Sequence, residues 1–313
     1  MHKIGGFLAG FAVTGLLAGA FPVAAQEIPN EGPVETRTVL SVEAKQPVPL
    51  DPKQIKVEVN GRQTALTSLT RIQPATAQVA ILIDDGLRSS FGIQIDDLKK
   101  FITSLPGGTQ VLVGYMRNGT VTGTKGFSAD HASVAKSVRL PLSAPGISAS
   151  PYFCLSDFVK RWPSNAGGAR FVLMLTNGVD PYNGSTSLMN QTCPYVEAAQ
   201  RDAQRAGVSV SAIAYTDAGV RGDSASFSGQ SYLQQVADAT GGRSFYNGSF
   251  NPVSLSPFLA EFRSYIAESY AATFMASTTH EKGNTLTRLK ISTSQKGLKV
   301  HAPEAVHPGS GAD

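Results

Sequence analysis

Two stretches of this chain, QVAILI (78–83) and RFVLMLT (170–176), are apolar at almost every position. A strand with one wet face alternates apolar and polar residues; these do not. Each must therefore be buried on both faces, and a parallel sheet covered by helices on two sides meets that demand. The chain between and after them has the required rhythm. Residues 89–105 place Phe91, Ile95, Leu98, Ile102 and Leu105 on one helical face. QVLVGYM (110–116) reads as a strand and 120–126 as a short edge strand. Ser128 can cap a helix over 129–138, and another helix covers 152–162. A helix over 195–206 stops at Gly207, a strand follows over 208–215, and a helix over 229–240 stops at Gly241-Gly242. A short strand (243–247) and a last helix (254–268) complete the alternation. The expected fold class is α/β: a mostly parallel central sheet flanked by helices.

The two ends read differently. Residues 36–44, 55–61 and 63–72 are short alternating runs, and Asn60-Gly61 is a hairpin signal between two of them. The segments 270–277, 285–293 and 298–302 alternate as well. The simplest arrangement pairs a β segment over 36–74 with one over 268–303, as a small antiparallel module beside a core over 77–267. Residues 26–35 read as a flexible N-terminus and 304–313 as a tail.

His2 and Lys3 precede an apolar run from Phe7 to Phe21, and Val23 and Ala25 suit a signal-peptidase site. The run is shorter than the ~20 residues that span a bilayer. The expectation is a signal peptide over 1–25, export to the periplasm or beyond, and no membrane span in the mature chain. The formal net charge is only +4, with no long Lys/Arg cluster, which argues against nucleic acid as a partner. Cys154 and Cys193 are the only cysteines. In an exported protein a lone pair is usually a disulfide, here closing a loop worth about 4 kcal/mol; two buried free thiols are the alternative. Enzyme motifs are missing. There is no GxSxG elbow, no P-loop and no GxGxxG after a strand. The five histidines, His2, His131, His280, His301 and His307, form no HxxxH pair.

Three motifs carry a family likeness. ILIDDG (81–86) ends a buried strand in two aspartates, LMLTNGVD (173–180) ends another, and VADATGGRSFYN (236–247) closes the α/β region. In that order and spacing the chain resembles a von Willebrand factor A-type domain over about residues 77–266. With a β segment on either side, the layout is similar to bacterial exported proteins of the related family. The resemblance implies protein binding without catalysis, at a site where a divalent ion sits among hard oxygen ligands.

Carried onto this chain, that ligand set is depleted. Asp84 matches the leading aspartate. Gly86 and Arg88 stand where two serines are expected, Ser148 or Ser150 would replace a threonine, and Asn177 replaces an aspartate. An inward-pointing Arg88 would pair with Asp84 in the ion's place, because a guanidinium stays charged and repels a dication. A second register uses Asp85 with Ser89 or Ser90, and Asp180 from the later loop. The resemblance thus implies a degenerate adhesion site that needs no cofactor, and Mg²⁺ is the ion the rearranged set would hold. RGD at 221–223 falls in a polar loop and is read as a chance match.

Overall fold

The computed structural model describes residues 32–44, 48–123, 125–143, 150–182, 192–216, 223–248, 250–277 and 286–311. The expected signal segment (1–25), Ser148, and Arg221-Gly222 of the RGD tripeptide lie outside the described residues. The chain begins with β1 (Val34–Ala44), β2 (Ile55–Val59), β3 (Arg62–Thr64) and β4 (Leu66–Arg71). The alternating region follows: β5 (Ala77–Asp84), α1 (Ile95–Ser104), β6 (Gln110–Arg117), β7 (Thr120–Thr122), α2 (His131–Lys136) and α3 (Pro151–Lys160). It continues with β8 (Ala169–Thr176), α4 (Pro194–Arg205), β9 (Val208–Ala214), α5 (Asp223–Thr240), β10 (Ser244–Phe245) and α6 (Ser256–Ala267). The last strands are β11 (Ser269–Ala276), β12 (Thr287–Thr293), β13 (Leu298–His301) and β14 (Ala305–Val306).

Strand β5 is buried at every residue, as its composition demands. It sits at the centre of a six-stranded sheet of order β10-β9-β8-β5-β6-β7. All neighbours are parallel except β7, which returns antiparallel along β6. Alternate residues of β5 enter two cores. Val79, Ile81 and Ile83 pack with α1, α2 and α6, and Ala80 and Leu82 pack with α3, α4 and α5. Strand β8 divides the same way, with Phe171, Leu173 and Leu175 on one side and Val172 and Met174 on the other. Three helices on each face are what two doubly buried strands require. The expected fold class is found.

The flanking strands form two antiparallel sheets, β13-β1-β11-β4 and β14-β12-β2-β3. Leu40, Val42, Val57, Phe274, Leu289 and Ile291 belong to one core shared by both sheets. The Asn60-Gly61 turn forms as expected. Both residues have positive φ (50° and 74°), and Val59 faces Arg62 across the hairpin.

Three elements differ from expectation. The run 63–72 is split, so that β3 pairs with β2 while β4 pairs with β11 in the other sheet. The segment 89–105 begins as a 3-10 helix over Ser89–Gln94 before α1; Gly92 is a weak helix former and packs against Leu140. Residues 304–313, expected as a tail, contribute β14 and a Ser310 carbonyl that accepts from the Arg37 N–H.

Candidate functional site

In an open α/β sheet, ligands bind beyond the carboxyl ends of the strands, where the strand order reverses. Here that point lies between β5 and β8, because the chain winds outward from β5 through β6 and then restarts at β8. Asp84 ends β5 and Thr176 ends β8. Both are buried, and the Thr176 hydroxyl donates to Asp84 Oδ2 at 2.8 Å. Asp84 Oδ1 accepts from the Gly86 N–H at 2.8 Å. The carboxylate is thus drawn into the sheet by its neighbouring strand and by its own loop.

Asp85 faces the other way. Its Oδ1 accepts from Arg139 Nη1 at 2.8 Å and from the Leu142 N–H at 3.0 Å, and its Oδ2 accepts from the Ser143 hydroxyl at 2.9 Å. Burial pushes this carboxyl up, but the bonds from Arg139, Leu142 and Ser143 outweigh it and hold the group below the usual range. Arg139 is itself fixed, 3.7 Å over the Tyr115 ring, while its main-chain N–H donates to the Tyr115 hydroxyl. Asp85 therefore fastens the loop after α2 to the end of β5.

Asp180 makes a third, separate set. Its Oδ2 accepts from the Ser150 hydroxyl at 2.9 Å and from the Cys193 thiol at 3.4 Å, and its Oδ1 accepts from the Tyr182 N–H. Ser150 also caps α3 by accepting from the Tyr152 N–H. Asn177 is buried, and its amide oxygen accepts from the Val179 N–H. Two glycines let α5 close over this loop. Gly178 has φ +70°, and a Cβ there would lie 2.5 Å from the Gly229 carbonyl oxygen; a Cβ on Gly229 would lie 2.1 Å from that of Asn177. The expected helix over 229–240 starts earlier, at Asp223, so that Gly229 lies inside α5 and makes this close approach there.

These positions can be tested against a Mg²⁺ ion, which asks for open oxygen ligands in near-octahedral array. Asp84, Ser150 and Asn177 each already accept hydrogen bonds from the protein, and Asn177 and Ser150 add no negative charge. Gly86 has no side chain. Arg88 is half-buried with its Nε out of solvent, so a permanent cation lies along the loop. In the rearranged set, Asp85 and Asp180 accept from different partners among the described residues, and Ser89 is exposed. Among the described residues no three His, Cys, Asp or Glu converge. The donor set departs from what Mg²⁺ needs.

No protein-family model matches this chain, and no curated protein matches it. Solved structures similar to it include a von Willebrand factor type A protein from Catenulispora acidiphila, at 11% identity over 90% of this chain and 75% of that one, TM-score 0.46. Another is an aerotolerance-related membrane protein from Bacteroides fragilis, at 12% identity over 61% of this chain and 98% of that one, TM-score 0.42. A third is the pilus adhesin SpaC from Lactobacillus rhamnosus GG, at 9% identity over 82% of this chain and 48% of that one, TM-score 0.44. At these identities the likeness is one of fold.

The expected disulfide is not formed: Cys154 and Cys193 are both buried free thiols. Each sulfur has its own direction. Cys154, on α3, faces the main chain of Arg117 and Gly119 in the β6–β7 turn, and burial pushes its thiol up to about 12. Cys193 precedes α4 and donates to Asp180. Burial raises its thiol as well. Neither is poised as a nucleophile.

Sequence reasoning missed the most exposed feature of this edge. Ten large hydrophobic residues are exposed among the described residues, and eight lie beyond the carboxyl ends of the parallel strands: Ile93, Leu140, Leu142, Tyr182, Phe227, Tyr246, Phe250 and Val253. Phe250 and Val253 are 77% and 89% exposed. The loops that carry them are tied together. Gln94 Nε2 donates to the Pro252 and Val253 carbonyls, Gln230 Nε2 donates to that of Gly248, and Leu142 hangs from Asp85. No helix of the described residues is long and apolar enough to cross a membrane.

Proposed function

We propose that this chain is an exported, non-enzymatic binding protein that holds a protein partner through the carboxyl edge of its parallel sheet, and does so without a metal ion. The observation that carries the reading is the number of exposed apolar side chains on the segments beyond the strand ends, next to carboxylates that are already bonded. Large apolar patches on a protein surface mark interaction sites. A rim rich in Tyr, Phe, Leu and Val suits a protein surface, whereas a small polar substrate would want free polar groups. Asp84, Asp85 and Asp180 act as internal ties that hold the loops, so the edge is presented in one arrangement and less ordering cost falls on binding. Adhesin and von Willebrand factor A-type neighbours support an adhesive or scaffold role. Export is supported by the leader-like first 25 residues.

The test is capture from the native envelope with the immobilised full chain, with and without EDTA. The expected result is a partner retained in EDTA and lost with Phe250→Asp or Val253→Asp. Capture abolished by EDTA would favour a metal-bridged contact. Capture untouched by both substitutions would move the interface elsewhere.

A further inference from the structure

The opposite edge of the same sheet carries unspent charge. A cavity of about 250 Å³ lies where the start of β8 meets β1 and the C-terminal residues, and Arg37, Arg170 and Arg205 line it with no carboxylate. It shares Arg170 and Arg205 with an adjoining open cleft that adds Lys160, Arg161 and one acid, Asp202. Five cations thus line the two spaces with one carboxylate, and Arg161 is already paired with Asp157 one turn back on α3. That carboxylate is already shared between Lys160 at 2.8 Å and Arg205 at 3.3 Å.

Two of the guanidiniums are without an acid. Among the described residues Arg37 has no side-chain hydrogen bond or ion pair, and Arg170 donates only to the Ala206 carbonyl, at 3.2 Å. Arg170 is held in place beneath Trp162, 5.5 Å from its ring, and burial lowers its pKa. The loop Asn165–Gly168 forms the rim. Gly168 has φ +132°, and a Cβ there would strike the Thr76 carbonyl oxygen at 2.1 Å, so only glycine lets the rim take this path.

We propose that this cavity binds a phosphate-bearing anion. Guanidinium forks match the oxygens of a phosphate in pairs, and three of them around one partly enclosed space give more than a solvated surface would. At about 30 Å³ per water molecule the cavity would hold roughly eight waters, which suits a phosphate group and is small for a drug-sized ligand. The site is roughly 20 Å from Asp84, the length of the strands between the two edges, so both can be filled together. The anion is either a free phosphate compound or the headgroup of an anionic lipid.

The experiment is calorimetric titration of the full chain with inorganic phosphate and pyrophosphate, beside co-sedimentation with phosphatidylcholine vesicles containing phosphatidic acid. Saturable binding to at least one probe is expected, weakened about tenfold or more by Arg37→Gln and by Arg170→Gln. Binding of the free anions identifies a soluble ligand; binding of the vesicles alone identifies the headgroup. Arg170→Gln removes a bond to the end of α4, so Arg37→Gln, on an exposed position of β1, keeps the test valid if the former misfolds. No saturable binding to any probe, or the same affinity in Arg37→Gln as in the unaltered chain, overturns the proposal.

Discussion

The two edges of one sheet have opposite chemistry. At the carboxyl edge the acids Asp84, Asp85 and Asp180 are buried and bonded, and large apolar side chains are among what reaches solvent. At the amino edge the acids are few, and guanidiniums line a cavity. The contrast teaches that a buried carboxylate at a switch point is not by itself a ligand site. An acid hydrogen-bonded on both oxygens organises the loops, and in the proposed reading recognition passes to what those loops expose. Charge left without a partner is the better sign of a place for something else to bind.

Substitutions can break or sharpen this contrast. The largest effect is expected for Asp85→Ala, which removes three hydrogen bonds and leaves Arg139 without its acid: about 3 kcal/mol lost, read as a lower urea midpoint. If Asp85 were instead a waiting ligand, its removal would relieve crowding and cost little. Gly178→Ala should cost about 2–3 kcal/mol and loosen α5 from the loop after β8, because the new methyl meets both Gly229 and Leu233 in a backbone conformation alanine resists. Hydrogen exchange at the start of α5 would register it. Acid titration gives a smaller effect. The folded Asp85 pKa lies below its unfolded value of about 3.9, so its contribution is complete above that pH and is lost as pH falls through the folded value. Stability should therefore fall more gently below about pH 4 in Asp85→Asn than in the unaltered chain. Smallest of all in stability terms, Phe250→Asp and Val253→Asp should change unfolding by about 0.5 kcal/mol or less, since both side chains are already in solvent, yet abolish partner capture.

The fold was legible because its signals are local. An apolar run such as 78–83 has only one way to be covered, and the helices announced themselves by period and by glycine stops. Asp84 was legible too, as the residue that ends a buried strand. What surrounds it was less so. Thr176 lies directly before Asn177 in LMLTNGVD, and only its pairing with Asp84 across two strands reveals its part. Arg139 and Ser143 lie more than fifty positions from Asp85, and no local pattern links them. The cysteines suggested a bridge as a lone pair in an exported chain, whereas their side chains point to different partners and stay free thiols. Gly229, the first residue of the expected helix, lies inside α5 and makes a close contact there. The exposed apolar residues escaped notice because they sit on five separate segments, Phe227 among them within α5, that the strand order brings to one edge.

The central claim is that the carboxyl edge works without a metal. Calorimetric titration of the full chain with Mg²⁺ and Mn²⁺ tests it most directly. The account predicts no saturable binding at micromolar concentrations and no difference between the unaltered chain and Asp84→Ala. Micromolar binding that disappears in Asp84→Ala would contradict it.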